Sequence, residues 1–319
     1  MNKKRKETIQ NNEISEVCTF NLGGYKQKVL IEGKSKDLPV VITLHGGPGM
    51  PIPFSVGCRG LFPKFTDKFI MVYWDQLGCG INNDQIHEQF HIDHFVEMGI
   101  DLLDELKKMF PQNKLLIFAT SWGSVLSAKI AEKKNDVLDG VVVSGQIIKN
   151  VIFNKEVFDV LEASDVPRKK LEAIRQIDAS NVSTKQLQVI ASALQKYTDA
   201  YNNKKSMKAP MGSIVLGLLT SPDYRFRDFM AIMVNGYRNN SSLWKELLQL
   251  DLSETLAEMK IPYVMIQGET DVIASTDTVT RLIEKNNNTN LKCQIVENTG
   301  HLPGKEMMQK VFQSLCDLI

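Results

Sequence analysis

Ser121 stands at a junction where a serine can become a nucleophile. The segment Leu115 to Ala131, LLIFATSWGSVLSAKIA, reads as a buried strand, a sharp turn holding Ser121, and a helix that starts directly after it. Tight backbone geometry of this kind pushes a hydroxyl out at the carboxyl edge of a sheet. The helix amino terminus beside it supplies N–H groups to a developing oxyanion. Small residues must flank such a serine, because larger ones collide with the neighbouring strand and helix. Gly123 meets that demand, and Ala119 stands where glycine is more usual, so the motif is A-x-S-x-G.

A serine hydroxyl attacks poorly until a base takes its proton. The histidines are His45, His87, His91, His94 and His301. His301, in Thr299-Gly300-His301, follows the strand expected at Lys292 to Val296 and sits where a base after the last strand belongs. The loop after the preceding strand, Gly268-Glu269-Thr270-Asp271, offers two acids to orient that histidine. Asp271, three residues past the glycine, is the better placed, and Glu269 is the alternative. His45-Gly46-Gly47-Pro48-Gly49 also follows a strand directly. Its glycines allow the Gly46 or Gly47 N–H to approach a substrate carbonyl, with the Trp122 N–H as the other donor of an oxyanion hole. His45 is expected to shape this loop by hydrogen bonding.

Other groups invite chemistry less strongly. His87, His91 and His94 are spaced i, i+4 and i+7, which could present imidazoles to a metal from one helical face. No strong carboxylate framework accompanies them, and they read as surface histidines at a helix start. Cys79 lies in a tight loop near the site, but nothing around it resembles an activating base. No metal or cofactor is expected. The stretch Lys204-Lys205 to Lys208 reads as a wet loop.

These residues need a scaffold, and the apolar runs supply one. Residues from Ser15 to Glu32 alternate as a hairpin would, turning at Gly23-Gly24. Leu38 to Leu44 (LPVVITL), Phe69 to Trp74 (FIMVYW), Leu115 to Ala119 and Val141 to Ser144 are short and continuously apolar, as strands buried on both faces are. A helical pattern runs from Asp93 to Phe110 and breaks at Pro111. Another helix is expected from Ser124 to Lys134. The rhythm is that of a doubly wound α/β sheet. It stops near Ile147, and residues to about Leu248 are mostly helical in pattern, with loops at Pro167 to Lys170 and Asn202 to Lys208. The pattern resumes with Tyr263 to Gln267 (YVMIQ), a helix over Thr278 to Lys285, Lys292 to Val296 (KCQIV) and a last helix from Glu306 to Ile319. The expected organisation is a flexible tail at 1–14, an α/β core at 15–148 and 249–319, and an inserted helical cap at 149–248.

The 319 residues carry 38 basic and 37 acidic side chains, a net charge of +1. Such balance gives no field to recruit phosphate backbones or anionic lipid, so neither nucleic acid nor membrane is an expected partner. Five scattered cysteines without a CxxC pair fit reduced thiols rather than a disulfide framework. The amino terminus lacks the apolar core of a secretory signal, and no stretch approaches ~18 apolar residues. A cytoplasmic protein is expected, of unspecified oligomeric state. The cluster Lys3, Lys4, Arg5 and Lys6 reads as part of a solvated tail.

The chain order Ser121, Asp271, His301 is that of the α/β-hydrolases. HGGPG at His45 to Gly49, WDQLGCG at Trp74 to Gly80, SWGS at Ser121 to Ser124, GETD at Gly268 to Asp271 and TGH at Thr299 to His301 together resemble the proline iminopeptidase branch of that family. The resemblance implies the α/β-hydrolase fold: a mostly parallel central sheet flanked by helices, with a helical cap inserted. It also implies cleavage of an amide or ester through an acyl-enzyme, with a small molecule or short peptide as substrate. The chain departs from the branch at Leu77 and Asn82, where many relatives carry Arg and Ser. Iminopeptidases hold the substrate's amino group with cap glutamates, and the nearest segment here, Phe229 to Asn240 (FMAIMVNGYRNN), has none. A proline iminopeptidase-like aminopeptidase is thus the leading expectation and a carboxylesterase-type hydrolase the alternative. A non-catalytic binding protein would need a broken constellation, and an epoxide or haloalkane hydrolase would need Asp at position 121.

Overall fold

The continuously apolar runs become the central strands of one sheet. In the computed structural model, which describes residues 3–87, 89–178, 182–201, 211–234 and 241–319, β1 (Ile14–Leu22), β2 (Tyr25–Gly33), β3 (Val40–Leu44), β4 (Ile70–Trp74), β5 (Leu115–Thr120), β6 (Gly140–Ser144), β7 (Tyr263–Gly268) and β8 (Leu291–Val296) pair in the order β1-β2-β4-β3-β5-β6-β7-β8. The β1–β2 hairpin and the β2–β4 pair are antiparallel, and every other pairing is parallel. Because β4 lies on one side of β3 and β5 on the other, the chain reverses direction across the sheet at β3. A crevice opens at the carboxyl ends of strands flanking such a switch point.

Alternation along the strands divides the core into two layers. Val40, Ile42, Leu44, Ile117, Ala119, Val141 and Val143 face α3 (Ile92–Met109) and α4 (Trp122–Lys133). Val41, Met71, Leu116, Phe118, Val142 and Ile266 face Met307, Val311 and Leu315 of α13 (Lys305–Asp317). Both faces are covered, which is why these strands read as unbroken apolar runs. In α3, Phe95, Leu102, Leu103 and Leu106 are buried on one face. Gly99 lets α4 come close, since a Cβ there would lie 2.5 Å from Ile130 Cδ1.

Between β6 and β7 the described residues form helices and no strand: α5 (Lys155–Glu162), α6 (Arg168–Arg175), α7 (Thr184–Tyr197), α8 (Met211–Leu219), α9 (Phe226–Val234), α10 (Ser241–Gln249) and α11 (Ser253–Ala257). The expected loop at 202–208, with its lysines, and residues 235–240 of the glutamate-free segment lie outside the described residues.

The amino terminus departs from expectation. In place of a flexible tail over 1–14, α1 (Lys3–Asn11) is helical and Ile14 already belongs to β1. Arg5 is 3% exposed, and its guanidinium donates to the carbonyls of Arg59 (2.6 Å), Gly217 (2.7 Å) and Gly57 (2.8 Å). The basic cluster is therefore not one solvated block: Lys3, Lys4 and Lys6 are exposed, whereas Arg5 turns inward. Gly60 makes the approach possible, because a Cβ there would sit 2.7 Å from Ile9 Cγ1.

Candidate active site

Ser121 follows β5 directly and caps α4 with φ 51° and ψ −116°, a backbone region that a non-glycine residue enters only when its surroundings force it. The forces are local. Ser121 N–H donates to the Ser144 carbonyl on the neighbouring strand, and Ser124 N–H returns to the Ser121 carbonyl to start the helix. Gly123 is pressed against the end of β3, where a Cβ would lie 2.1 Å from the Leu44 carbonyl oxygen. Ala119, in register with Leu44 and Val143, is fully buried and fits without displacing either.

The three residues named from the sequence converge. His301 Nε2 lies 2.8 Å from Ser121 Oγ, and His301 Nδ1 lies 2.7 Å from Asp271 Oδ2. Asp271 is held by its other oxygen, which accepts from the N–H groups of Ile273 (2.9 Å) and Ala274 (3.0 Å). That leaves Oδ2 aimed at the imidazole. His301 and Asp271 are 7% and 2% exposed, so the relay is largely shielded from water. Glu269, the alternative acid, is exposed and accepts instead from the Asn298 N–H at 2.7 Å.

The HGGPG loop lies beside the serine. A Cβ on Gly46 would be 3.3 Å from the Thr120 carbonyl oxygen and 3.4 Å from Ser121 Cβ, which puts this backbone against the elbow. Gly47 has φ +122°, and a Cβ there would meet the Gly49 nitrogen at 2.5 Å, so glycine is required. Trp122 is the first residue of α4. His45 Nδ1 donates to the Gly46 carbonyl (2.9 Å), and Nε2 accepts from the Gln76 N–H (3.0 Å). This pattern needs neutral imidazole, and burial pushes His45 down to about 4.

Sequence reasoning passed over the two residues after β4. Gln76 gives its N–H to His45 and takes the Trp122 indole N–H on its side-chain oxygen at 2.9 Å. It thus ties the HGGPG loop to the elbow. Asp75 is buried and accepts from the N–H groups of Val56 and Ile81 and from the Tyr224 hydroxyl. Burial raises its carboxyl to about 6. The available signal was an acid and an amide directly after a buried strand, in a glycine-rich loop, where polar side chains must satisfy backbone groups.

The remaining candidates do other things. His91 Nδ1 is 3.4 Å from Glu246 Oε2, and His94 Nδ1 accepts from the His91 N–H. His87 lies near the Phe90 ring. Among the described residues, no three such side chains stand together in a way that could hold a metal ion. Cys79 is buried, with Sγ directed at the Gln76 carbonyl; contrary to expectation an imidazole stands beside it, His45 Nε2 at 3.5 Å, but that nitrogen already accepts from the Gln76 N–H. A groove of about 380 Å³ opens beside the Asp271 end of the relay, bordered by Glu156, Asp159, Glu269 and Asp277. Among the described residues, no helix is long and apolar enough to cross a membrane.

Comparison with known proteins identifies the family of the fold. The family model for the alpha/beta hydrolase fold matches residues 39–306. A probable aminopeptidase of Bacillus subtilis, YbaC, is 23% identical over 89% of this chain and 90% of its own length. A proline iminopeptidase of Saccharolobus solfataricus is 24% identical over 94% of this chain and 90% of its own. Among solved structures, the proline iminopeptidase of Mycobacterium smegmatis superposes with a TM-score of 0.62 at 16% identity, over 95% of this chain and 97% of that one. The chain belongs to the α/β-hydrolase fold family, and the two full-length relatives above, to which it is similar, carry aminopeptidase and proline iminopeptidase names.

Proposed function

We propose that this hydrolase cleaves an amide or ester through an acyl-enzyme on Ser121. The observation that carries the reading is the unbroken relay Ser121 Oγ, His301 Nε2 at 2.8 Å, and His301 Nδ1 to Asp271 Oδ2 at 2.7 Å. His301 takes the Ser121 proton as Oγ attacks the carbonyl carbon, and Asp271 stabilises the imidazolium that forms. The N–H groups of Trp122 and of Gly46 or Gly47 receive the oxyanion, where one donor is worth on the order of 3 kcal/mol in the transition state. The imidazolium then protonates the departing amine or alcohol, and water resolves the acyl-enzyme by the same steps in reverse.

Residues 149–248 act as a cap in this reading. Support comes from three contacts with the core: Tyr224 to Asp75, Glu246 to the Ile92 N–H that opens α3, and the Ala200 carbonyl to the His301 N–H. The relatives' names favour a short peptide with a free amino terminus, hence an aminopeptidase. A carboxylesterase would use the same machinery. Intact mass after treatment with a fluorophosphonate tests the nucleophile: one adduct is expected, and none on Ser121→Ala. An unlabelled wild type would sink the acyl-enzyme. Aminoacyl amides and short-chain aryl esters then separate the substrates, since cleavage of esters alone removes the peptidase.

A further inference from the structure

His301 is held by more than the acid behind it. The chain leaves α7 at Thr198, whose hydroxyl donates to the Leu194 carbonyl and accepts from the Ala200 N–H, fixing a tight exit. Residues 199–201 then run across the loops that carry Asp271 and His301. The Ala200 carbonyl accepts from the His301 N–H at 2.7 Å, and the Tyr201 carbonyl from the Leu302 N–H at 3.0 Å. The Asp199 carbonyl accepts from the Thr270 hydroxyl at 2.8 Å. The approach is so close that a Cβ on Gly300 would lie 2.6 Å from both the Asp199 and the Ala200 carbonyl oxygens.

Two neighbours stand close to the imidazole itself. On one side Gly145 leaves room for it, since a Cβ there would be 3.3 Å from His301 Cε1. Against it stands the Tyr201 ring, edge-on at 88° with centroids 6.0 Å apart. Burial first, and the Asp271 charge second, hold the Tyr201 hydroxyl up at about 12, so the ring stays neutral beside the relay.

We propose that residues 199–201 form a strap that positions the general base, with Tyr201 as the positioning residue that holds the His301 ring in line between Asp271 and Ser121 and keeps water off their hydrogen bonds. The proposal rests on the acyl-enzyme reading and assigns a task to a segment inserted between β6 and β7. The ring does the work by packing, so its hydroxyl is dispensable. Its loss lets the imidazole rotate and admits water to the Nδ1–H bond.

The test is saturation labelling of the full chain with a fluorophosphonate, which separates the limiting rate kinact from the affinity KI. One-dimensional proton NMR of the downfield His301 Nδ1–H accompanies it. For Tyr201→Ala, kinact is expected to fall about 10- to 100-fold with KI nearly unchanged, because misorientation acts on reaction rather than on binding. The downfield resonance should broaden away. Tyr201→Phe should restore both readouts. Thr270→Val, which removes the strap bond to the Asp199 carbonyl together with a longer one to the Thr299 carbonyl and leaves the ring, should give a smaller fall in kinact, and an unchanged kinact there would count against the strap even if Tyr201→Ala does not fold. A Tyr201→Ala protein with wild-type kinact and an intact resonance would overturn the strap, as would a Tyr201→Phe protein as impaired as the alanine variant. A wild type that takes no label would instead remove the acyl-enzyme reading. The resonance needs no turnover and still decides whether Tyr201 orders His301.

Discussion

Replacing Gly123 with alanine should separate catalytic geometry from stability. The added Cβ would lie 2.1 Å from the Leu44 carbonyl oxygen, 2.7 Å from the Leu44 carbonyl carbon and 2.9 Å from the His45 carbonyl oxygen. All three are backbone atoms at the end of β3, a strand hydrogen-bonded on both sides, so none can swing away as a side chain would. Reaching even a 3.0 Å contact demands ~0.9 Å of separation between the elbow and the HGGPG loop. Overpacking of this sort costs about 1–3 kcal/mol, a fall of several degrees in Tm for a chain of this size. Displacing the nucleophile from its oxyanion donors by about 1 Å costs about 100-fold in rate. Labelling by a fluorophosphonate should therefore slow about 100-fold while the protein still melts cooperatively within ~10 °C of wild type. Ala119→Gly, at the other small position of the elbow, is the control and should label at close to the wild-type rate. Gly123→Ala labelling as fast as wild type would refute the argument that backbone contact sets the serine's position.

Three further outcomes follow from the same geometry. Asp271→Asn keeps a carbonyl oxygen for the Ile273 and Ala274 N–H groups but turns an amide toward His301 Nδ1, which favours the wrong tautomer. Turnover should drop about 10⁴-fold, whereas Glu269→Gln should leave it unchanged, and steady-state kinetics of the pair decides which acid works. Glu32 is fully buried beside Gly60, and burial raises its carboxyl to about 7. The folded chain thus holds that proton more tightly than the unfolded one, where Glu titrates at about 4.3, so stability should fall as pH rises from about 4.5 to 7 and level off above, by roughly 3–4 kcal/mol in all. Melting curves of wild type against Glu32→Gln across that range isolate the effect, and parallel curves would refute it. Deleting residues 1–11 removes Arg5 from the Gly57, Arg59 and Gly217 carbonyls. A fall of several degrees in Tm is expected, and an unchanged Tm would restore the solvated tail.

Much of the site was legible because its demands are local. A serine at a strand-to-helix turn needs small neighbours, and Ala119 and Gly123 carry that requirement in the chain itself. The loops after β7 and β8 advertise Asp271 and His301 because each follows a run that reads as a strand. The strands of the sheet were equally readable, the central ones being buried on both faces, and their ends differ from expectation by a residue or two, whereas the loop expected at Pro167 to Lys170 is the start of α6. The first helix was not readable. Lys3 to Lys6 looks like a solvated run, and only the gap over Gly60 turns Arg5 inward.

The sequence by itself determined the strand and helix rhythm, the elbow and the order of Ser121, Asp271 and His301, since hydrophobic period and backbone sterics act over a few residues. Only the tertiary structure decided that Asp271 rather than Glu269 meets His301, because the choice depends on which way two neighbouring carboxylates turn. It also decided that Gln76 joins two loops 31 and 46 residues away. The same is true of residues 199–201, which cross the base about 100 residues before it in the chain. Hydrogen bonds that satisfy buried backbone groups choose partners by distance in space, and nothing in the local pattern of types records that choice.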